Sequence, residues 1–330
     1  MKRYSVFAAM SMMALAVAAH AATGCQLVRI AEWPVRTAHQ RAVLDGYING
    51  KQVGILVDTG AWGSLIQRAA ATRLGLEQSS ARGITISGVG GESQAYVAHV
   101  DELRIGDATR KNWRVLVAGE HDMGGDIALI LGDDFFEQVD LEFDIPHGML
   151  RLFRPQGCEN ASLAYWTRSG ASELKMEPGT LINFNVALER RSVRAMLDSG
   201  GVRSVVSLPV AGAVGRTPTS AGVEPAGCFT GLGKKRVESW VAPFDTVTIG
   251  DEIIHDAHLH IMDLWIAPRP GMGSRMFRPT EALPEMILGF DFLKTHRVLV
   301  SRSQRKMYFT YEGGVVFPPG PRGDCRDAPG

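Results

Sequence analysis

Two aspartates stand in matching surroundings. Asp58 closes the run Ile55-Leu56-Val57 and precedes Thr59-Gly60-Ala61; Asp198 closes Ala195-Met196-Leu197 and precedes Ser199-Gly200-Gly201. Each apolar run reads as a buried strand, and the small residues after it read as a tight turn that presents the acid at the strand end. A carboxylate placed there is costly unless it is hydrogen-bonded or paired. If the two face each other they cannot both ionise cheaply, so they share one proton and titrate as a pair. One then acts as base toward a water while the other, still protonated, donates to a carbonyl. That is peptide hydrolysis without a metal or a covalent intermediate. A lone Asp-Thr-Gly would carry little weight, because it can merely cap a turn. The surrounding sequence decides.

With Asp58 laid on Asp198, an offset of 140 positions, residues 47–53 match 187–193 without a gap, and both read as a hairpin into the acid-bearing strand. Downstream, Ser87-Gly88-Val89-Gly90-Gly91 answers Thr230-Gly231-Leu232-Gly233-Lys234. Leu103-Arg104-Ile105-Gly106-Asp107 answers Val247-Thr248-Ile249-Gly250-Asp251. Residues 129–136, with Leu131-Gly132, answer 286–293, with Leu288-Gly289, and the offset grows through 143 and 144 to 157, as loop insertions would produce. Four matches in the same order make an internal duplication.

This order of Asp-Thr/Ser-Gly, glycine-rich hairpin, then apolar residues and a glycine before a short helix resembles the aspartic protease superfamily. Each half is similar to one retropepsin-type subunit, and the pair to the two-lobed pepsin architecture. The resemblance covers roughly residues 40–312. It implies a mainly β, two-lobed acid protease fold with short helices, and Asp58 and Asp198 as the catalytic dyad. Thr59 and Ser199 would send their hydroxyls across the lobe interface, and Gly60 and Gly200 would allow close backbone approach beside the carboxylates. Leu131-Gly132 and Leu288-Gly289 would buttress the loops from behind. Flaps would form at Gly88, Val89, Gly90 and Gly91 and at Gly231, Leu232 and Gly233. Three features depart from the family pattern: Gly201 stands where Ala or Ser is usual, Lys234, Lys235 and Arg236 replace a double glycine, and neither flap tip carries an aromatic. Which flap works is left open.

The expected layout is a signal peptide at 1–21, an N-terminal lobe at 22–154, an interlobe linker at 155–179, a C-terminal lobe at 180–318 and a tail at 319–330. Lys2 and Arg3 precede an apolar stretch ending near Ala19-His20-Ala21, the pattern of a secretory signal. Ala22-Thr23-Gly24-Cys25 offers a weaker lipobox, so a membrane partner is expected only if Cys25 is lipidated. The four cysteines, Cys25, Cys158, Cys228 and Cys325, lack any CxxC and suit disulfides in an exported protein. Three connectivities are open; the expected one joins Cys25 to Cys158 and Cys228 to Cys325.

Lys plus Arg and Asp plus Glu number 35 each, which gives no reason to invoke nucleic acid or an anionic membrane. Arg68–Leu74, closed by Gly75, is the best helix candidate. The 155–179 stretch loses the repeat and carries Gly157, Gly170 and Pro178, with Tyr165 and Trp166 expected to pack on a lobe. The second half has 13 extra residues around Pro268–Arg275, either a cleft border or a surface excursion. His258 and His260 share a strand face; a solvated face is expected rather than a metal site, and neither metal nor cofactor is called for. The whole reads as an exported aspartic endopeptidase, periplasmic or secreted and monomeric, that holds a peptide extended between its lobes. The alternative is a noncatalytic peptide-binding or scaffold protein of the same fold.

Overall fold

The computed structural model describes residues 24–265, 283–320, 323 and 325. The expected signal peptide, the Pro268–Arg275 loop and most of the tail lie outside these residues. The described chain is mainly β. It opens with β1 (Gln26–Pro34) and β2 (Arg36–Ala38), followed by the hairpin that leads to Asp58: β3 (Arg41–Ile48) and β4 (Lys51–Val57), paired antiparallel from Val43↔Leu56 to Ile48↔Lys51. After β5 (Leu65–Gln67) comes α1 (Arg68–Leu74), which buries Ala70 and Ala71. It stops where expected, because Gly75 adopts the left-handed conformation at φ 72° and caps the carbonyl of Thr72. Then follow β6 (Gln78–Gly88), β7 (Gly91–Ile105), β8 (Ala108–Ala118), β9 (Ile127–Leu131), α2 (Asp133–Phe136), β10 (Asp140–Asp144) and β11 (Met149–Gln156).

The second half repeats this run after β12 (Ser172–Lys175). Its hairpin is β13 (Asn183–Leu188) with β14 (Arg191–Leu197), and β15 (Val205–Ser207) leads into α3 (Leu208–Ala213). The long strands are β16 (Glu224–Phe229), β17 (Val237–Ile249) and β18 (Glu252–Met262), and the chain closes with β19 (Met286–Leu288), α4 (Phe290–Leu293), β20 (His296–Ser301) and β21 (Lys306–Tyr311).

One eight-stranded sheet runs β2-β3-β4-β9-β5-β8-β7-β6, and a seven-stranded sheet runs β13-β14-β19-β15-β18-β17-β16. From β3 and from β13 onward the order is the same, and each sheet curls until its first hairpin strand also meets β7 or β17. The acid-bearing strands β4 and β14 are central and lie parallel to β9 and β19. A strand flanked on both sides and covered on both faces has no solvent face to alternate toward, which is why residues 55–57 and 195–197 are unbroken apolar runs.

A third sheet, β1-β11-β10-β20-β21-β12, takes strands from both halves. It is joined at its centre by β10 and β20, with Leu141 opposite Val300 and Phe143 opposite Val298. Strand β10 is buried along its whole length, so its alternation puts Leu141 and Phe143 in the hydrophobic core and Asp140, Glu142 and Asp144 on the other face. The acids there are compensated. Glu142 Oε1 accepts from Arg151 Nη1 at 2.6 Å and Arg297 Nη2 at 2.9 Å, and Asp144 Oδ2 accepts from Arg151 Nη1 at 2.8 Å. Burial opposes ionisation of Asp144, but hydrogen bonds from Arg151 and His147 outweigh it and hold its carboxyl below the ordinary value.

The 155–179 stretch, expected as a linker, is not a bare connector. It supplies β12 to the third sheet by pairing with β21, and it buries Cys158, Leu163 and Ala164 with Phe153 and Tyr308. Trp166 packs as expected and donates through Nε1 to Thr310 Oγ1 at 2.8 Å. Tyr165 stays half-exposed, edge-on to Phe153. Disulfides join Cys25 to Cys158 and Cys228 to Cys325. The first occupies the sulfur that a lipid anchor would need. No helix among the described residues is long and apolar enough to cross a membrane.

Glu142 is completely buried and is the acid shared by Arg151 and Arg297 across the joint between halves. Glu142→Ala is therefore expected to cost about 3 kcal/mol, since it leaves two guanidinium groups undercompensated. Urea unfolding with an unchanged midpoint would show that the network contributes nothing.

Candidate active site

Asp58 and Asp198 sit just past the ends of β4 and β14. Their positions are set from behind by the neighbouring parallel strands, as the Asp58 N–H donates to Leu131 O at 3.0 Å and the Asp198 N–H to Leu288 O at 2.9 Å. Each carboxylate is also held by its own turn. Asp58 Oδ1 accepts from the N–H groups of Gly60 (2.9 Å) and Ala61 (3.1 Å), and Asp198 Oδ1 from those of Gly200 and Gly201 (both 2.9 Å). Gly201, unusual as it looked in sequence, makes this bond through its backbone.

The two turns interlock. Thr59 Oγ1 donates to Leu197 O at 2.8 Å and accepts from the Ser199 N–H at 3.0 Å; Ser199 Oγ donates to Val57 O at 2.8 Å and accepts from the Thr59 N–H at 3.0 Å. Both hydroxyl residues are buried. The interlock brings each glycine against the opposite acid. A Cβ on Gly60 would lie 2.6 Å from Asp198 Cγ, and one on Gly200 would lie 2.4 Å from Asp58 Cγ, so only glycine fits either place.

Both aspartates are half-buried overall, but protein surrounds their carboxyl groups closely, with the opposite turn's glycine against each. Burial raises the Asp58 carboxyl well above its ordinary value, and the charge of Asp198 and a hydrogen bond with it push the same way. Burial raises Asp198 too, opposed by the hydrogen bond from Asp58 and by its turn N–H groups. Two carboxyls within hydrogen-bonding reach in such a place can hold one proton between them.

A second pair of supports lies behind each turn. Ser64 donates through its N–H and its Oγ to Asp134 Oδ1, both at 2.7 Å, and its Oγ accepts from the Gly132 N–H at 3.0 Å. Ser204 donates to Asp291 Oδ1 through its Oγ at 2.6 Å and its N–H at 2.9 Å, and accepts from the Gly289 N–H at 2.9 Å. The sequence contained the signal, since Ser64 and Ser204 stand six places after the two aspartates and Asp134 and Asp291 two places after the buttress glycines. Arg41, at the start of β3, had no such signal. Its Nε donates to Gly200 O at 3.1 Å, across 159 positions of chain.

The glycine-rich segments meet each other. Gly88 pairs with Gly91 at the end of the β6–β7 hairpin, with Val89 and Gly90 at its tip. The Gly233 N–H donates to Val89 O at 3.1 Å and the Lys235 N–H to Gly90 O at 2.9 Å, while Leu232 O accepts from the Glu120 N–H at 3.1 Å. The tips exchange side chains: Leu232 packs on the first half's cluster around Leu56, Leu65 and Ile130, and Val89 on the second half's around Met196, Val205 and Ile287.

The histidine expectation needs correction. His260 is only 3% exposed rather than on a solvated face, because the chain's last described segment covers it, with Phe317 O accepting from the His258 N–H and Gly320 against the ring. Burial and the charge of Arg203 hold His260 neutral, with its pKa pushed down to about 4. No group of three or more His, Cys, Asp or Glu suited to a metal exists among the described residues.

The mainly β fold, with two aspartates presented to each other from matched, interlocked turns, is consistent with an aspartic protease fold. In agreement, residues 44–138 match the model of the family described as "gag-polyprotein putative aspartyl protease". The match runs from β3 through α2 and includes Asp58, its turn, the first glycine-rich hairpin and the Gly132 buttress. No curated protein matches the chain.

The burial of the pair fixes a pH signature. Both carboxyls are held above the ordinary 3.8, so the folded chain retains protons that the unfolded chain releases, and the stability they contribute is lost as pH rises. Asp198→Asn removes one of the two titrating groups while keeping an acceptor for the two turn N–H groups. It should resist urea better than wild type at neutral pH, with the gap closing as pH falls below about 4. A variant less stable than wild type at neutral pH would contradict the account.

Proposed function

We propose that the protein is an exported aspartic endopeptidase. The observation that carries this reading is the pair Asp58–Asp198, two carboxyl groups in hydrogen-bonding reach with their values raised by burial. In the proposed reaction the ionised member of the pair takes a proton from water as that water attacks a peptide carbonyl. The protonated member donates to the carbonyl oxygen, and the tetrahedral intermediate then breaks as the amide nitrogen is protonated. Neither step needs a metal.

The rest of the site supports the same reading. Thr59, Gly60, Ser199 and Gly200 would keep the carboxyls aligned, and the joined segments at Gly88–Gly91 and Gly231–Gly233 would act as flaps over a peptide bound in extended form. Such a peptide must part the flap tips to enter. Two lobes, tandem retropepsin-like halves in one monomeric chain, account for the common strand order of the two large sheets. Export to the periplasm or beyond is supported by two disulfides, which persist in oxidising compartments. A noncatalytic peptide binder of this fold has no use for a buried pair of acids, whose proton sharing is costly to maintain.

The test is cleavage of a diverse peptide mixture by the purified protein from acidic to neutral pH, beside Asp58→Asn and Asp198→Asn. Wild type should cut, and either substitution alone should reduce the rate by at least about a thousandfold with the fold intact. Cutting that survives either substitution would refute the shared-proton mechanism, and no cutting at any pH would favour the binding protein.

A further inference from the structure

Several of the described arginines are ion-paired, and Arg41 is among those that are not. Arg36, Arg68, Arg73, Arg151, Arg194 and Arg302 each sit within salt-bridge distance of a carboxylate. Among the described residues Arg41 has no carboxylate within salt-bridge distance. It is half-buried at the start of β3, and its Nε donates to Gly200 O. Gly200 is the residue whose Cα faces the Asp58 carboxyl, where a Cβ would come within 2.4 Å of Asp58 Cγ, and whose N–H holds Asp198. The guanidinium is thus anchored on the backbone that both acids touch.

A guanidinium stays protonated at any pH the protein meets, and a partly desolvated cation must be balanced. Among the described residues the carboxylates whose charge acts on Arg41 are Asp58 and Asp198; burial works against its charge and these two acids partly offset it. The residues that pack between them, Thr59, Gly60, Ser199, Gly200 and Gly201, are uncharged. A pair that holds one proton carries one negative charge, and Arg41 carries one positive charge.

The arrangement is also one-sided. The hairpin registers coincide, since Val43↔Leu56 in the first half corresponds to Asn183↔Met196 in the second, so the position equivalent to Arg41 is Leu181, which packs with the apolar cluster around Met196. The first half thus places a cation beside the acids where the second half places an apolar side chain.

We propose that Arg41 is the counter-charge of the Asp58–Asp198 pair, a positioning residue that sets the pH range over which the pair holds one proton. The inference rests on the proposed function only in taking these two acids as the working pair. Removing the cation disfavours the ionised form, so loss of the first proton moves to higher pH, and so does the acid limb of any activity that depends on it. Peptide cutting at low pH would be lost first.

The experiment reads the pair directly. Full-length protein labelled with carbon-13 at the aspartate carboxyls is titrated by NMR, and the pair's signals are identified by their loss in Asp58→Asn and Asp198→Asn. Arg41→Gln keeps a donor for Gly200 O but removes the charge, whereas Arg41→Lys keeps the charge. The midpoint should rise by about one pH unit or more in Arg41→Gln and stay near wild type in Arg41→Lys. Should the Gln variant not fold, Arg41→Leu, which copies the second half, takes its place. A midpoint unmoved by loss of the charge overturns the proposal, as does an equal shift in the Gln and Lys variants. A shift in a protein that cuts no peptide supports the counter-charge and removes the endopeptidase reading, so the two claims fail separately.

Discussion

The site depends on four hydrogen bonds between Thr59 and Ser199 and the strand ends behind them. A hydroxyl can donate once and still accept, and each of these does both, giving its proton to a carbonyl of the opposite half and taking the backbone N–H of the other hydroxyl residue. No other side chain of this size can do that. Because the group is buried, any member left unpaired would bear its full desolvation cost, about 1–3 kcal/mol. The two turns are therefore held as one unit, and the carboxyls at their tips inherit that rigidity. Gly60 and Gly200 follow from the same constraint, since the interlock brings each main chain into contact with the opposite acid.

Once the turns are locked, electrostatics decides what the acids can do. Burial and mutual repulsion resist charge on the pair, while turn N–H groups and Arg41 favour it. One proton shared by the pair, as proposed, would balance these. The matched scaffold and the unmatched cation have different jobs: Ser64–Asp134 and Ser204–Asp291 brace the two turns alike, whereas Arg41 has only Leu181 opposite. The tips of the two glycine-rich segments, packed into each other's halves, add a further tie between them.

Much of this was legible in the sequence because it rests on local pattern. The apolar runs before Asp58 and Asp198, the helix closed by Gly75, and the glycine-rich hairpins depend on periodicity and on turn residues that short windows contain. The hydroxyl residues beside the acids could be given a role only through the resemblance, since their partners lie in the other half of the chain. What escaped depends on pairing at long range. Arg41 reaches Gly200 only after two sheets have formed, Ser172–Lys175 within the 155–179 stretch became a strand because β21 offered a free edge, and His260 is buried by a distant segment. The acids on β10 were equally opaque, because a buried Glu142 is tolerable only with Arg151 and Arg297 in place.

The interlock itself is most directly tested by a double-mutant cycle. Thr59→Val, Ser199→Ala and the double variant are unfolded in urea at a single pH. If the two hydroxyls serve one shared set of bonds, each single change costs about 2 kcal/mol or more, and the double falls short of their sum by about 1 kcal/mol or more. Costs that add to within about 0.5 kcal/mol would mean the hydroxyls act independently, and the account of two turns held as one unit would be wrong.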